Sequence, residues 1–425
     1  MTDIKVSKLS NGLRGSVEIP ADKSISHRAV MFSSLARGRT LIKNFSSGAD
    51  PHSTLEVFSR LGIEHKFIDE KTLEIVSDGV LHAPAKELDC GNSGTTMRLM
   101  CGILAGQNFD SVMIGDESLS KRPMRRVIEP ISLMGGEIQA QDGHAPLKVL
   151  GRRLKGIDYV SKIASAQVKS CVLLAGLFAD GVTSVTEPFV SRNHTEIMLK
   201  YLGADLTVEG KKVSIHRSTL DAHEIEVCGD ISSAAYFIAA GLIVPGSDII
   251  LKNVGLNPTR TGILDVAIQM GGDIEILDER ESAGERVGDI RVKYSQLKAC
   301  QIGGEIIPRL IDELPVIAVL ATQAQGQTIV KDAGDLRNKE SDRISAVVKE
   351  LKKIGADIEE TPDGFIINGK TSLQGGVEVE TYHDHRLAMS LYVAGLVAEK
   401  EILIKDFQWV DISFPEFLKL FGALD

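Results

Sequence analysis

The sequence predicts an α/β fold of two domains, and a sixfold internal repeat is the main observation behind this prediction. A hydrophobic residue followed by glycine ends an amphipathic stretch six times, and successive glycines of these pairs lie 73, 68, 68, 84 and 67 residues apart. Within each repeat, β-rich runs alternate with helical stretches, which is typical of α/β layers with parallel strand pairing. The chain length of 425 residues allows two or three domains of about 150 residues each, so we expect three repeats per domain. The six pairs are Leu61-Gly62, Met134-Gly135, Leu202-Gly203, Met270-Gly271, Ile354-Gly355 and Phe421-Gly422.

Each repeat shows the same order of elements. A small-residue-rich apolar stretch of about 12–15 residues comes first and predicts a buried helix rather than a strand. A β-rich run follows, as at 40–43, 247–251 and 327–330. A second, amphipathic helix ends on the hydrophobic-glycine pair, where glycine supplies the left-handed residue that follows a helix, and a further strand then begins, as at 136–140 and 356–359. The apolar stretches are 24–36, 94–105, 165–179, 230–243, 313–324 and 384–398.

The N-terminal strand segments, 4–6 and 15–19, have no helix of their own before Pro20. We therefore expect them to join the C-terminal half of the chain. The prediction is one domain of residues 1–19 and 229–425, which holds repeats 4–6, and a second domain of residues 20–228, which holds repeats 1–3. The hinge is expected near residues 20 and 229. No Pro/Gly/Ser-rich linker separates the halves, so the domains are expected to face one another across a cleft.

Composition and charge exclude several classes of function. The 48 Lys and Arg residues against 58 Asp and Glu residues give a net charge of −10, which argues against nucleic acid and membrane as partners. No stretch is long and apolar enough for a membrane span, and the first residues lack the apolar segment of a secretion signal. The five scattered cysteines indicate neither a disulfide framework nor a zinc knuckle. A cytoplasmic enzyme is expected.

Cationic and hydroxyl side chains collect in the first turns of the predicted buried helices. A helix N-terminus presents unpaired N–H groups and a partial positive charge, so it suits a phosphate or a carboxylate. Ordinary capping by Ser, Thr and Asp explains any single helix without a ligand. Lys and Arg in four of these turns, however, oppose the helix dipole, and a shared anion explains them better. Further cations lie in 116–126, at Arg192 and in 337–343, which indicates that the protein binds small substrates with two or more anionic groups.

Few residues are candidates for proton transfer. Asp312 precedes a predicted helix, and Glu340 lies between Lys339 and Arg343. A carboxylate among cations can be functional or part of a structural ion-pair network, and spacing alone does not separate the two. The run 383–385 alternates His, Asp and His, but capping by its aspartate fits better than a metal site. No metal site is predicted, and the nucleotide, dinucleotide and zinc-protease motifs are absent from the sequence.

At these residues the chain closely resembles the enolpyruvyl transferase family, in family order over nearly the full length. The resemblance implies an inside-out α/β barrel architecture of two domains, each with three βαβαββ units. It also implies transfer of the carboxyvinyl group of phosphoenolpyruvate to the 5-hydroxyl of 3-phosphoshikimate by a monomer, with no cofactor. The matching runs are DKSISHR at 22–28, NSGTTMR at 92–98, the run 115–124, SAQVKS at 165–170, RNHTE at 192–196, the pair at 312–313, KESDR at 339–343 and DHR at 384–386.

The resemblance also implies roles for individual residues. Glu340 is expected to protonate the methylene carbon of phosphoenolpyruvate, Asp312 to accept the hydroxyl proton, and Lys23 to compete or cooperate in this acid-base chemistry. Glyphosate occupies the phosphoenolpyruvate place in this family, and we expect sensitivity because glycine at position 94 leaves room. The expected 3-phosphoshikimate ligands are Lys23, Ser24, Arg28, Ser165, Ala166, Gln167, Arg192, Asp312 and Lys339. The expected phosphoenolpyruvate ligands are Lys23, Gly94, Arg122, Gln167, Arg343 and Arg386.

Three alternatives remain at the level of sequence. The first is the sister reaction, in which UDP-N-acetylglucosamine accepts the same group. Many of those enzymes carry a reactive cysteine before an Arg-Pro pair, and residues 116–121 contain none. The second is a non-catalytic clamp for small anions, which would bind phosphate without releasing any from phosphoenolpyruvate. The third is an open structural repeat array, which predicts polar end units, whereas residues 414–421 are largely apolar.

Overall fold

The computed structural model describes residues 2–424 and divides them into two compact units. One unit contains Ala21–Cys228 together with the short segment Glu281–Glu285, and we call it the repeat-1–3 unit. The other contains the chain up to Pro20, Gly229–Arg280 and the chain from Arg286 onward, and we call it the repeat-4–6 unit. The chain therefore passes from one unit to the other not only near residues 20 and 229 but also on either side of the segment 281–285.

The helices and strands of the first half follow the predicted order. The N-terminal segment contains β1 (Ile4–Val6) and β2 (Arg14–Glu18). Repeat 1 contains α1 (Lys23–Leu35), β3 (Ala36–Lys43), α2 (Ala49–Arg60), β4 (Glu64–Phe67) and β5 (Leu73–Asp78). Repeat 2 contains β6 (Leu88–Asp89), α3 (Gly94–Ala105), β7 (Ser111–Ile114), α4 (Glu117–Ser120), α5 (Arg125–Leu133), β8 (Glu137–Gln141) and β9 (His144–Leu150). Repeat 3 contains β10 (Asp158–Val160), α6 (Ala166–Gly176), β11 (Thr183–Thr186), α7 (His194–Tyr201), β12 (Leu206–Glu209) and β13 (Lys212–Ile215), followed by β14 (Leu220–Asp221) and β15 (Ile225–Glu226).

The second half repeats this order. Repeat 4 contains α8 (Ile231–Ile243), β16 (Asp248–Gly255), α9 (Gly262–Gln269), β17 (Asp273–Ser282) and β18 (Glu285–Lys293). Repeat 5 contains β19 (Gln301–Ile302), α10 (Ile307–Leu310), α11 (Leu314–Gln323), β20 (Gly326–Val330), α12 (Arg343–Ile354), β21 (Asp357–Thr361) and β22 (Gly364–Gly369). Repeat 6 contains β23 (Glu378–Val379), α13 (His385–Gly395), β24 (Ile402–Ile404) and α14 (Phe417–Gly422). Short 3-10 helices lie at Gly304–Ile306, Gly334–Asn338 and Phe407–Ile412.

Strand pairing differs from the prediction in one respect. In repeat 2 the sheet order is β6-β7-β9-β8, where β6 and β7 are parallel but β9 is antiparallel to both of its neighbours. The expectation of parallel pairing is therefore wrong for the last two strands of a repeat. The reason is the tight turn between β8 and β9, where Asp142 and Gly143 both have positive φ, 51° and 78°. Such a two-residue turn joins antiparallel strands, whereas parallel strands need a longer crossover.

The two N-terminal strands complete sheets in the second half of the chain. Strand β2 pairs in parallel with β16 of repeat 4. Strand β1 pairs antiparallel with β24 of repeat 6, whose sheet has only three strands, in the order β1-β24-β23. Strands β14 and β15 both pair in parallel with β3 of repeat 1. The sheet of a repeat can thus be completed by a strand from a segment that is distant in the sequence.

The predicted buried helices are confirmed as α1, α3, α6, α8, α11 and α13, and nearly every residue in them is buried. Helices α3 and α6 pack so closely that a Cβ atom added at Gly102 would lie 2.0 Å from the carbonyl oxygen of Cys171. The small residues of these apolar stretches therefore allow the backbones to approach. Among residues 2–424, every helix is too short or too polar to span a lipid bilayer.

The hydrophobic-glycine pairs behave as predicted in five repeats and not in the sixth. Gly422 lies inside α14 and is not left-handed, so that prediction is wrong. In the other five repeats the left-handed residue reverses the chain into a new strand, and within residues 2–424 no strand follows α14. The five left-handed glycines are Gly62, Gly135, Gly203, Gly271 and Gly355, with φ of 88°, 86°, 88°, 89° and 107°.

Candidate active site

The first turn of α1 places two predicted ligands at a helix N-terminus. Asp22 caps this helix by accepting a hydrogen bond from the backbone N–H of Ile25 at 2.8 Å. Lys23 and Ser24 follow directly, both half-buried. The ammonium of Lys23 lies 3.1 Å from the carboxylate of Asp50 on α2. Asp50 was not predicted from the sequence, because nothing local links it to Lys23.

Arg28 lies one turn further along α1, and hydrogen bonds fix its guanidinium on all sides. Its Nε donates to the hydroxyl of Thr195 at 2.8 Å, Nη2 to the hydroxyl of Ser170 at 3.1 Å, and Nη1 to the carbonyl of Ser24 at 2.9 Å. Burial lowers the pKa of Arg28 to about 10, although the charge of Glu196 opposes this shift. The residue remains a fixed cation at neutral pH, and it links α1 to α6 and α7.

A second group of polar side chains surrounds the N-terminus of α3. Ser93 caps this helix, so Gly94 is its first residue. Arg122 donates to the amide oxygen of Asn92 at 2.9 Å. Gln167 on α6 accepts from Arg98 Nη1 at 2.7 Å, so the first turns of α3 and α6 are connected.

Arg98 is a buried cation in this group to which the sequence assigned no role. It is only 5% exposed. A Cβ atom added at Gly94 would lie 2.9 Å from Nη1 of Arg98 and 3.3 Å from Nη1 of Arg122. The spacing of four residues between Gly94 and Arg98 would have placed them on one helix face, and that was the available signal.

The third group lies at the start of α6 and just before α7. Ser165 caps α6, and its own backbone N–H donates to the carboxylate of Glu187 at 2.9 Å. Ala166 and Gln167 form the first turn after it. Arg192 precedes α7 by two residues and is half-buried, and its positive charge contributes to the lowered pKa of Arg28. Most predicted ligands of the first half thus lie at helix starts of the repeat-1–3 unit, whereas Arg28 lies one turn into α1 and Arg122 lies between α4 and α5.

In the repeat-4–6 unit, three cations surround Asp312. The ammonium of Lys339 lies 3.6 Å from Oδ1 of Asp312, and Nη1 of Arg343 lies 3.4 Å from the same oxygen. Nη2 of Arg386 lies 3.8 Å from Oδ2. Burial opposes the charge of Arg386, but Asp312, Glu313 and Asp230 together with Tyr236 outweigh it, so the pKa of Arg386 is raised above its usual value. Three cations around one carboxylate leave an excess of positive charge, which suits an anionic ligand.

Arg343 also joins two further carboxylates. Its Nη2 donates to Oε2 of Glu340 at 2.6 Å, and its Nε donates to Oδ2 of Asp384 at 2.7 Å. Burial opposes the charge of Arg343, but Asp384 and Glu340 raise its pKa further than burial lowers it. Likewise, burial works to raise the pKa of Asp384, but Arg343 holds it below its ordinary value. Both groups therefore stay charged.

Asp384 is also the cap of α13, as the sequence predicted. It accepts hydrogen bonds from the backbone N–H groups of Arg386, at 2.9 Å, and Leu387. Within residues 2–424, no cluster of three or more His, Cys, Asp or Glu side chains has the arrangement of a metal site.

The ion pairs of the repeat-4–6 unit bring five predicted site residues together in one cluster. They are Asp312, Lys339, Glu340, Arg343 and Arg386.

Proteins of known family resemble this chain over its whole length. The family profile described as EPSP synthase (3-phosphoshikimate 1-carboxyvinyltransferase) matches residues 8–421. A relative from Thermoanaerobacter sp. (strain X514), named 3-phosphoshikimate 1-carboxyvinyltransferase, is 52% identical over 425 residues, covering 99% of this chain and 100% of the relative.

Solved structures give the same result for the fold. The structure of EPSP synthase from Acinetobacter baumannii has a TM-score of 0.90 at 43% identity and covers 100% of this chain and 98% of that chain. The enolpyruvyl transferase NikO from Streptomyces tendae has a TM-score of 0.80 at 16% identity, covers 99% of this chain and 97% of that chain, and shares the fold. The predicted α/β fold of the enolpyruvyl transferase type is confirmed.

Proposed function

The chain belongs to the EPSP synthase (3-phosphoshikimate 1-carboxyvinyltransferase) family, and from that premise we propose that it transfers the carboxyvinyl group of phosphoenolpyruvate to the 5-hydroxyl of 3-phosphoshikimate. In the addition step, the hydroxyl oxygen bonds to C2 of phosphoenolpyruvate while a proton is added to C3 and the hydroxyl proton leaves to a base. In the elimination step, the tetrahedral intermediate loses a proton from C3 and releases inorganic phosphate, which restores the double bond.

Both substrates are polyanions, so binding them side by side requires several cations. We assign the 3-phosphate and ring of phosphoshikimate to two sets of residues, one at the starts of α1, α6 and α7 and one around Asp312. The positive ends of the helix dipoles support this assignment. The proposed phosphoshikimate ligands are Lys23, Ser24, Arg28, Ser165, Ala166, Gln167, Arg192, Asp312 and Lys339. The proposed phosphoenolpyruvate ligands are Lys23, Gly94, Arg122, Gln167, Arg343 and Arg386.

Proton transfer is assigned to the carboxylates of the repeat-4–6 unit. Glu340 accepts a hydrogen bond from Arg343, which is also proposed to bind phosphoenolpyruvate. This contact places Glu340 beside a proposed phosphoenolpyruvate ligand, and on that proximity we assign it the protonation of C3. Asp312 is the proposed base for the 5-hydroxyl, and three cations lie within 4 Å of its carboxylate. Lys23, which is paired with Asp50, is proposed as a further acid-base group.

The observation that carries the proposal is the sharing of Arg343 by Glu340 and Asp312, at 2.6 and 3.4 Å. One guanidinium there contacts both groups that we propose for proton transfer. Composition and charge further support a cytoplasmic protein without a nucleic-acid or membrane partner, and the resemblance implies a monomer that needs no metal or organic cofactor. Size-exclusion chromatography tests the monomeric state, and an assay after chelator treatment tests the independence from metal.

The direct test of the function mixes the purified chain with phosphoenolpyruvate and an acceptor and measures released phosphate. With 3-phosphoshikimate we expect steady phosphate release and a product that carries the enolpyruvyl ether. With UDP-N-acetylglucosamine we expect no release. The proposal fails if phosphoshikimate gives no phosphate, and phosphate release with the nucleotide sugar alone would favour the sister reaction.

A further inference from the structure

A buried cluster of three charged residues lies behind the start of α6. The side chains of Lys169, Glu187 and Glu196 are only 2%, 3% and 5% exposed. The ammonium of Lys169 lies 3.0 Å from Oε2 of Glu187 and 2.7 Å from Oε1 of Glu196. None of the three is among the proposed ligands. A buried ion pair costs desolvation free energy and adds little net stability, so stability alone is a weak explanation for this cluster.

The hydrogen bonds of Glu187 lead to the proposed phosphoshikimate ligands. Its Oε1 accepts from the backbone N–H of Ser165 at 2.9 Å. Its Oε2 accepts from the hydroxyl of Ser191 at 2.8 Å and from the backbone N–H of Ser191 at 3.3 Å. Ser191 directly precedes Arg192. One carboxylate therefore holds the backbone of one proposed ligand and the residue next to another.

Lys169 fixes the same turn from the other side. Its ammonium donates to the carbonyl oxygen of Ser191 at 3.3 Å, and its own backbone N–H donates to the carbonyl of Ser165 at 3.0 Å within α6. The segment between β11 and α7 is thus held at Ser191 through both its N–H and its C=O groups. Because β11 ends at Thr186 and α7 begins at His194, this is the connection that carries Arg192.

We propose that Glu187 and Lys169 are positioning residues that set the placement of Ser165 and Arg192 for the phosphate of phosphoshikimate. The inference rests on the proposed function of those two ligands. Neither positioning residue touches substrate in this scheme. The ammonium of Lys169 lies between the carboxylates of Glu187 and Glu196, and Arg28 also interacts with Glu196. These cations offset the negative charge, so that Glu187 can orient N–H donors close to an anion with less repulsion.

Two substitutions of opposite charge separate this role from a simple effect of charge. Glu187→Gln removes a negative charge, and Lys169→Met removes a positive one. If the pair only tunes the local field, Glu187→Gln lowers KM for 3-phosphoshikimate and Lys169→Met raises it. If the pair positions the ligands, both substitutions raise this KM, by about tenfold, while kcat and KM for phosphoenolpyruvate change less. Unchanged KM values with a lower Tm would show a merely structural role and overturn the proposal.

A double-mutant cycle tests whether Glu187 acts through Arg192. In a chain that already carries Arg192→Gln, the substitution Glu187→Gln is expected to raise KM for 3-phosphoshikimate by less than about threefold. Fully multiplicative effects would contradict the proposal. If Arg192→Gln alone leaves this KM unchanged, it is the assignment of the phosphate ligand that fails, which is a separate outcome.

Two further variants complete the experiment. Ser191→Ala deletes one hydroxyl donor to Glu187 and keeps every charge, so it replaces the charge variants if they do not fold, with an expected rise in KM of about threefold. Asp158→Asn is the matched control, because this exposed carboxylate of the same repeat also pairs with one lysine, Lys212, and one serine, Ser184. It is expected to leave all kinetic constants unchanged.

Discussion

Arg343 and Asp384 are joined by two hydrogen bonds, from Nε at 2.7 Å and from Nη2 at 3.2 Å, and both side chains are almost completely buried. The same carboxylate caps α13 just before Arg386. Asp384 therefore holds the guanidinium of Arg343 and the backbone N–H of Arg386. A single carboxylate orients both arginines that the repeat-4–6 unit is proposed to offer to phosphoenolpyruvate.

Replacing Asp384 is expected to weaken phosphoenolpyruvate binding more than phosphoshikimate binding. Asp384→Asn keeps the size of the side chain but removes the charge that orients the Arg343 fork, so we expect KM for phosphoenolpyruvate to rise by about tenfold or more and the free energy of unfolding to fall by about 3 kcal/mol. Steady-state kinetics and denaturant titration measure the two effects. The matched control is Asp248→Asn, since Asp248 on β16 binds Arg291 on β18 through two hydrogen bonds and neither residue is a proposed ligand. Equal kinetic effects in both variants would refute the explanation.

Glu340 is expected to matter for turnover rather than for binding. Glu340→Gln preserves an oxygen that can accept from Arg343 but cannot deliver a proton, so kcat should fall by about 10²–10⁴-fold with KM values nearly unchanged. Phosphate release at saturating substrates measures this. Glu360→Gln is the control, because the exposed Glu360 pairs with Arg337 and lies outside the proposed ligand set. Near-normal turnover in Glu340→Gln would remove this residue from proton transfer.

A methyl group at position 94 is expected to reduce glyphosate inhibition. The added carbon would lie 2.9 Å from Arg98 Nη1 and 3.3 Å from Arg122 Nη1, so these guanidinium ends must shift, and the space at the start of α3 becomes smaller. We expect Gly94→Ala to raise the glyphosate inhibition constant more than KM for phosphoenolpyruvate. Gly422→Ala is the control, since a Cβ there meets no atom within 4 Å. An unchanged inhibition constant would disprove the steric argument.

His27 is expected to make the stability depend on pH. Burial lowers its pKa from the ordinary value of 6.5 to about 3, so it stays neutral in the folded chain, where its Nδ1 lies 2.6 Å from the hydroxyl of Thr54. Between these two pKa values the unfolded chain binds one more proton. The contribution of His27 to stability is therefore complete above pH 6.5 and is lost as the pH falls, by about 1.4 kcal/mol per pH unit.

Denaturant titrations at pH 6.5, 5.5 and 4.5 test this prediction. His27→Gln keeps a polar group beside Thr54. It should reduce the slope of the free energy of unfolding against pH by nearly the amount that one bound proton contributes. His216→Gln, at an exposed position, should leave the slope of the parent. A slope that is the same in all three proteins would contradict a buried neutral imidazole at position 27.

Local signals predicted the helix starts, and tertiary contacts explain what the sequence missed. Asp384 was predicted as a cap, and capping by Ser and Asp was expected in general at these helix starts, because a cap acts within three residues of its own position. The structure identifies the individual caps as Asp22, Ser93 and Ser165. Asp50 and Glu187 could not be found, because their partners lie 27 and 22 residues away, at Lys23 and Ser165, and no periodicity encodes such pairs. The anion-binding character of the cluster around Asp312 was predicted from its cations. The contact of one side chain, Arg343, with both Asp312 and Glu340 could not be predicted, because it depends on how distant segments pack.

The two errors in the predicted fold have separate causes. Antiparallel pairing of β8 and β9 follows from a two-residue turn at Asp142 and Gly143, a signal present in the sequence that the general rule for α/β layers outweighed. The left-handed glycine failed at Gly422 because its role depends on whether a strand follows the helix. The sequence pattern therefore predicted the six repeats, but not the antiparallel pairing of the last two strands of a repeat or the conformation of the glycine that ends the sixth.

Because of the hairpin of β17 and β18, cutting the chain near residues 20 and 229 alone would not separate the two units. Its tip, 281–285, is part of the repeat-1–3 unit, although the strands that carry it belong to the sheet of repeat 4. A fragment ending at Cys228 would lack Glu285, whose Oε1 lies 2.6 Å from Nδ1 of the buried His194. Expression of the first half as an autonomous fragment would thus deprive a buried imidazole of its carboxylate, and a stable first-half fragment would need the tip grafted onto it.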